Sequence, residues 1–209
     1  MITAEEALTR LQQGNARFVA GLSSIDAMTG HARREELMAG QNPFAVILGC
    51  SDSRVPVEMV FDQGLGDLFV IRVAGNIVAP SHVGSVEFAT EKFGTRLVVV
   101  LGHSLCGAVE ATLEELQRPT ESQSKNLHAI VERIRPAVEG LLATDLRHDF
   151  PALYRAAVRA NVRVAAAALR HGSEILERLI EHHDLVVVGA EYSLETGEVE
   201  FFDGVPVAS

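Results

Sequence analysis

The sequence contains few cysteines, a minority of basic residues and no long apolar segment. Cys50 and Cys106 are its only cysteines, too few for the disulfide framework of a secreted domain, so we expect a reducing, cytoplasmic location. The 18 Lys and Arg residues against 28 Asp and Glu residues give a formal net charge of −10, which disfavours binding to nucleic acids and anionic lipids. No apolar run approaches the roughly 18 residues of a membrane span. Acidic residues also stand near the N-terminus, where a signal peptide carries lysine. We therefore expect no nucleic-acid or membrane partner.

The length of 209 residues favours a single domain over 1–209, and no repeat or linker interrupts the chain. Thr3 and Glu6 have the spacing of a capping box, which predicts a helix over 4–20. A shorter helix is expected around 31–38. Together these segments form a predicted N-terminal helical arm at about 1–40.

Short, continuous apolar runs at 44–48, 68–71, 97–101 and 185–188 are typical of strands buried on both faces. Segments with helical spacing separate them, which indicates an α/β domain with right-handed crossovers. A turn signal at Thr196-Gly197 predicts a last strand at about 198–202, antiparallel to 185–190. The expected fold is a mostly parallel four-stranded sheet with an antiparallel fifth edge strand and helices on both faces.

Both cysteines fall where predicted strands end. Cys50 follows the first apolar run, in CSDSRVP, and His103 and Cys106 follow the third, in HSLCGAV. Ligands of open α/β sheets gather at the carboxyl ends of the strands. Two thiolates and an imidazole favour zinc, and three protein ligands leave a position open for chemistry. Taken singly, each cysteine also fits a small buried hydrophobe, and a purely structural zinc site is a further alternative.

Asp52 has two possible roles in this site. It is either a fourth ligand that closes the metal site or the partner of Arg54, two residues further on. Paired with Arg54, it would leave the fourth position to water, and zinc lowers the pKa of bound water to about 7. Asp52 would then accept a hydrogen bond from the zinc-bound hydroxide and direct its attack on a small electrophile.

From about Gln41 to Val109 the chain resembles the β-class carbonic anhydrases. The resemblance lies in three segments that occur in the same order as in that family, CSDSRVPVE, GDLFVIRVAGN and VVVLGHSLCGAV. The resemblance implies zinc held by Cys50, His103 and Cys106, with Asp52 as the partner of Arg54 or as a fourth ligand. It also implies the reversible hydration of carbon dioxide to bicarbonate and a proton.

The same resemblance implies a substrate pocket. Gln41 matches a glutamine that donates a hydrogen bond to the substrate, often across a subunit boundary. Phe69 and Phe88 match aromatic positions of the pocket wall, and Gly107 matches a residue whose backbone N–H lies near the substrate. A homodimer or homotetramer is therefore expected.

Some bacterial members bind inhibitory bicarbonate through a tryptophan, an arginine and a tyrosine. Arg72 and Tyr192 match the last two, but Ile47 stands at the tryptophan position. We therefore expect Asp52 to be paired with Arg54 near neutral pH. Two alternative functions remain open: a hydrolase of carbonyl sulfide or carbon disulfide on the same site, and a noncatalytic zinc- or thiol-responsive binding module.

Overall fold

The computed structural model describes residues 2–23, 30–118 and 124–206, and a five-stranded sheet forms the centre of this part of the chain. The strand order is β2-β1-β3-β4-β5; β1 to β4 run parallel and β5 is antiparallel to β4. The strands are β1 (Ala45–Gly49), β2 (Leu68–Arg72), β3 (Leu97–His103), β4 (Val186–Tyr192) and β5 (Val199–Asp203). The predicted fold class is confirmed, including the antiparallel edge strand.

Helices connect and cover the strands. Among the described residues they are α1 (Ala4–Val19), α2 (His31–Leu37), α3 (Val57–Val60), α4 (Pro80–Phe93), α5 (Gly107–Gln117), α6 (Lys125–Leu142), α7 (Phe150–His171) and α8 (Glu174–His182). Short 3-10 turns lie at Ala74–Asn76 and Asp145–His148. No helix in the described ranges is long and apolar enough to cross a membrane.

The predicted N-terminal arm contains α1 and α2, while residues 1 and 24–29 of it lie outside the described residues. Helix α1 begins at the predicted capping box: the Thr3 hydroxyl accepts from the Glu6 N–H, and the Glu6 carboxylate accepts from the Thr3 N–H. Asn15 ties α1 to the rest of the molecule, because its amide donates to the carbonyls of Val60 and Gly197 and accepts from the Val199 N–H.

Strand β3 shows why continuous apolar runs predicted the sheet. Leu97, Val99 and Leu101 face a core shared with α1 and α3, whereas Val98 and Val100 face a second core shared with α4, α7 and α8. All five side chains are fully buried. Because both faces of the strand are covered, alternation with polar residues is absent.

The sheet register brings the predicted site residues to one edge. Gly49, the last residue of β1, pairs with Leu101 of β3, two residues before His103. Cys50 therefore leaves the sheet beside the carboxyl end of β3. A third apolar cluster, built from α5, α6 and α7, covers this edge and includes both cysteines.

Candidate metal centre

Cys50, His103 and Cys106 converge at the carboxyl edge of the sheet. One ligand atom from each residue lies within 4.8 Å of the other two, and all three residues are buried. The two cysteines are free thiols. Cys50 follows β1, His103 ends β3, and Cys106 is the N-cap residue of α5. Two sulfur atoms and one imidazole nitrogen at this spacing form a donor set that suits zinc.

The two thiols do not ionise equally. The hydrogen bond from Cys106 lowers the pKa of the Cys50 thiol well below its ordinary value, and the hydrogen bond from the Gly75 N–H lowers it further. The neighbouring Cys50 sulfur, followed by burial, raises the pKa of Cys106. Like charges in contact disfavour a second ionisation. A divalent cation between the sulfurs would relieve this repulsion, so the pair fits a metal.

His103 presents a free nitrogen to the same space. Its Nδ1 lies 2.9 Å from the Ser104 carbonyl oxygen, and since a carbonyl only accepts, Nδ1 carries the proton. Nε2 is left as a lone-pair donor, buried and without a hydrogen-bond partner among the described residues. A backbone carbonyl that fixes the tautomer of a histidine is the usual support of a metal-ligating imidazole. The orphaned nitrogen therefore fits a zinc ligand.

Asp52 is bound to Arg54. The Arg54 Nε and Nη2 donate to Asp52 Oδ1 and Oδ2 at 2.9 and 2.7 Å, and the Arg54 backbone N–H donates to Oδ1 at 2.9 Å. These bonds from Arg54 hold the pKa of the Asp52 carboxyl far below its usual range. Asp52 Oδ2 lies 3.9 Å from His103 Nε2. The carboxylate is thus ionised, oriented and close to His103.

Two further contacts fix the loops that carry these groups. Arg54 Nη2 also donates to the carbonyl of Leu105, a residue with a positive φ of 56° between His103 and Cys106. Arg72, at the end of β2, donates to the carbonyls of Cys50 and Asp52 at 3.0 and 2.6 Å. Arg54 therefore joins the two loops that carry the cysteines, and Arg72 joins the end of β2 to the loop of Cys50 and Asp52.

Sequence reasoning missed two residues that support Cys50. The Gly75 N–H donates to Cys50 Sγ at 3.3 Å, and the Asn161 side chain donates to the Gly75 carbonyl at 2.8 Å. The available signal was a polar residue, Asn161, at a buried position of the otherwise apolar face of α7.

The four predicted pocket residues lie in different places. Gly107 begins α5 next to Cys106, and a Cβ built on it meets open space. Gln41 is exposed and precedes β1 at the amino edge of the sheet. Phe69 of β2 pairs with Val46 of β1. Val46 precedes Cys50 by four residues, which is roughly 13 Å of strand.

Phe88 is 52% exposed and contacts Phe69, with ring centroids 6.2 Å apart. Within one chain, Gln41, Phe69 and Phe88 thus lie away from the metal ligands, and their role in substrate binding stays a prediction.

The three residues at the positions of the inhibitory bicarbonate site are buried or hydrogen-bonded within this chain. Ile47 is fully buried in β1, and Tyr192 is buried at the end of β4. The Arg72 guanidinium binds the two carbonyls described above.

Comparison with known proteins identifies the family. The Carbonic anhydrase family model matches residues 45–199. A carbonic anhydrase from Mycolicibacterium smegmatis is 39% identical over 195 residues, 91% of this chain and 89% of that protein. The crystal structure of the β-carbonic anhydrase CafA of Aspergillus fumigatus has a TM-score of 0.72 and 27% identity, over 83% of this chain and 82% of that chain. A tetrameric β-carbonic anhydrase from Sordaria macrospora has a TM-score of 0.69 and 25% identity, over 84% and 87%. This chain belongs to the β class of the carbonic anhydrase family.

Proposed function

We propose that this protein is a zinc-dependent carbonate dehydratase that interconverts carbon dioxide and water with bicarbonate and a proton. The observation that carries this proposal is the ionised, arginine-bound Asp52 beside a buried Cys50–His103–Cys106 ligand set. Zinc held by these three residues would lower the pKa of a water molecule enough to make it a nucleophile at neutral pH.

Asp52 would orient the attacking water. Because Arg54 holds its pKa low, the carboxylate only accepts hydrogen bonds at neutral pH. It therefore binds the O–H of the nucleophile and leaves a lone pair directed at the carbon of carbon dioxide. A new C–O bond forms as one C=O π bond gives its electrons to oxygen, and the released proton passes to buffer. Arg54 orients Asp52 for this role, because its guanidinium binds both carboxylate oxygens and leaves a remaining lone pair for the nucleophile.

The substrate side of the site, in this proposal, includes Gly107 from the same chain and Gln41, Phe69 and Phe88 from a second copy. The Sordaria macrospora relative is tetrameric, and a homodimer or homotetramer is proposed for this chain as well. Reduced thiol ligands suit the cytoplasm, which we propose as its location.

Stopped-flow measurement of carbon dioxide hydration by the zinc-loaded protein at pH 8 tests the reaction. We expect rapid turnover by the wild type and none by Cys106→Ser, which lacks one ligand. Carbonyl sulfide and carbon disulfide are supplied in parallel. Zinc-loaded wild type that hydrolyses only the sulfur compounds, or none of the three substrates, contradicts the proposal; the latter result would favour a noncatalytic binding module.

Mixing two inactive variants tests the shared pocket. The Gln41→Ala subunit keeps its metal ligands, and the Cys106→Ser subunit keeps its Gln41. In a mixed dimer, one of the two sites therefore combines intact ligands from the first subunit with Gln41 from the second. After subunit exchange at equal concentrations, about one site in four is intact, and we expect a corresponding recovery of activity. A mixture no more active than its components places Gln41 outside a shared site.

A further inference from the structure

Asn161 lies on α7, 86 residues along the chain from the turn that it contacts. Its side chain is 98% buried, since the residue is 2% exposed, and its neighbours on the buried face of α7 include Ala157, Val158 and Val162. A primary amide in such surroundings is costly unless it is hydrogen-bonded. Asn161 Nδ2 donates to the Gly75 carbonyl oxygen at 2.8 Å. The contact between α7 and the Gly75 turn is therefore specific and polar.

The backbone conformation, the close packing and two hydrogen bonds all restrict Gly75. Its φ of +72° is in the left-handed region, which favours glycine. A Cβ at this position would lie 2.8 Å from Ile134 Cδ1 and 3.1 Å from Ala108 Cβ. The bond from Asn161 fixes the peptide plane that follows Gly75. The N–H of the preceding plane then donates to Cys50 Sγ at 3.3 Å.

We propose that Asn161 is a positioning residue of the metal centre: it holds the Gly75 turn so that the Gly75 N–H donates to the Cys50 thiolate. This inference rests on the proposed function in taking zinc as the bound metal. An N–H donor withdraws electron density from the sulfur, stabilises the thiolate and moderates its donation to the metal. Asn161 thus acts on the metal through Gly75 and Cys50 without touching either the metal or the substrate.

A purely structural role for Asn161 makes a different prediction. If the amide only ties α7 to the turn, its removal lowers stability and leaves the bound metal unchanged. If it positions the Gly75 N–H, its removal changes the sulfur–metal bond as well. The distinguishing measurement is therefore made on the metal, not on activity.

The test compares Asn161→Leu, which removes the donor but keeps the branched arrangement of side-chain heavy atoms, with Leu169→Ala, a truncation at another buried position of α7. Co²⁺ serves as the probe. In Asn161→Leu we expect about tenfold weaker Co²⁺ binding. The sulfur-to-cobalt charge-transfer band should move to longer wavelength, because sulfur electrons that lose a hydrogen bond rise in energy. Leu169→Ala should keep the wild-type band and affinity. An unchanged band and affinity in Asn161→Leu, or equal changes in both variants, overturns the inference.

A second measurement needs no variant. In wild-type protein loaded with ¹¹³Cd, a hydrogen bond to a coordinating sulfur transmits a scalar coupling between the amide proton and cadmium. We expect this coupling at the Gly75 amide, and its absence overturns the inference even if Asn161→Leu does not fold. Wild type that binds Co²⁺ and shows the coupling but does not hydrate carbon dioxide would refute the proposed function alone.

Discussion

Replacing Arg54 by alanine should impair turnover while leaving zinc bound. The substitution removes two side-chain hydrogen bonds to Asp52 and one to the Leu105 carbonyl. None of these bonds involves a ligand side chain. The backbone N–H of residue 54 still donates to Asp52 Oδ1 in the variant, so the carboxylate keeps one of its three anchors.

The expected magnitude follows from that remaining anchor. Loss of a residue that orients a group beside a metal costs about 10- to 100-fold in activity, and the retained backbone bond places Arg54→Ala near the lower end of that range. Arg54→Lys keeps the charge but not the two-pronged geometry, so its kcat/KM should be intermediate. Because the Arg54 side chain is the largest cause of the lowered Asp52 pKa, that pKa rises in the alanine variant. Its kcat/KM should therefore begin to fall at a higher pH than in wild type as the solution is acidified.

The assay combines stopped-flow hydration over a pH series with the zinc content of each sample. Arg163 provides a matched control, because its side chain is 53% exposed against 52% for Arg54 and its Nε lies 4.0 Å from Oδ1 of Asp203, outside hydrogen-bond distance. Arg163→Ala should behave as wild type. Undiminished kcat/KM in Arg54→Ala, or activity lost in proportion to zinc, would refute the role given to the Asp52–Arg54 pair.

Four other predictions concern metal binding and stability. In His103→Ala, added zinc should no longer raise the unfolding temperature, as calorimetry with and without zinc would reveal. Gly102→Ala places a Cβ 2.5 Å from Val162 Cγ2, so we expect a loss of about 1–3 kcal/mol in denaturant unfolding. A Cβ at Gly84 on α4 would contact no neighbouring atom, so Gly84→Ala should raise the free energy of unfolding by about 0.4–1 kcal/mol. The Thr3 N–H lowers the pKa of Glu6 in the folded state. The stabilisation of the fold by the Glu6 carboxylate is therefore complete above the Glu6 pKa of the unfolded chain, and it is lost as pH falls through the Glu6 pKa of the folded chain. The difference in unfolding temperature between wild type and Glu6→Ala should accordingly narrow from pH 7 to pH 3.

The strands were predictable from the sequence because both faces of the sheet are covered. Apolar content alone marks β1 and β3, whose residues are buried throughout. For β4 the apolar run is shorter than the strand, because the run stops at Val188 whereas the strand continues to Tyr192. Glu191 remains in the strand because Arg159 on α7 binds its carboxylate at 2.7 Å. Such a pairing between distant segments leaves no periodicity in the local sequence.

The clustering of Cys50, His103 and Cys106 was predictable for a related reason. Parallel strands deliver whatever follows them to one edge, so Cys50 and His103 could be placed together from strand ends alone. The support from Gly75 and Asn161 was not predictable in this way. It depends on a backbone N–H, which every residue except proline has, and on a helix position 86 residues away. Only the tertiary fold decides which N–H meets the sulfur.

Charge explains why the centre combines these particular groups. Two thiolates and a neutral imidazole carry two negative charges, which a divalent cation cancels, and Arg54 cancels Asp52. The cluster of apolar residues around Cys50 and Cys106 can therefore enclose the loaded centre without burying a net charge. Without the cation, the opposed pKa shifts of the two thiols keep a proton on Cys106. In the proposed zinc enzyme, metal binding would displace that proton, so the affinity of the centre for zinc would rise with pH, and the two sulfur donors would favour a soft divalent ion.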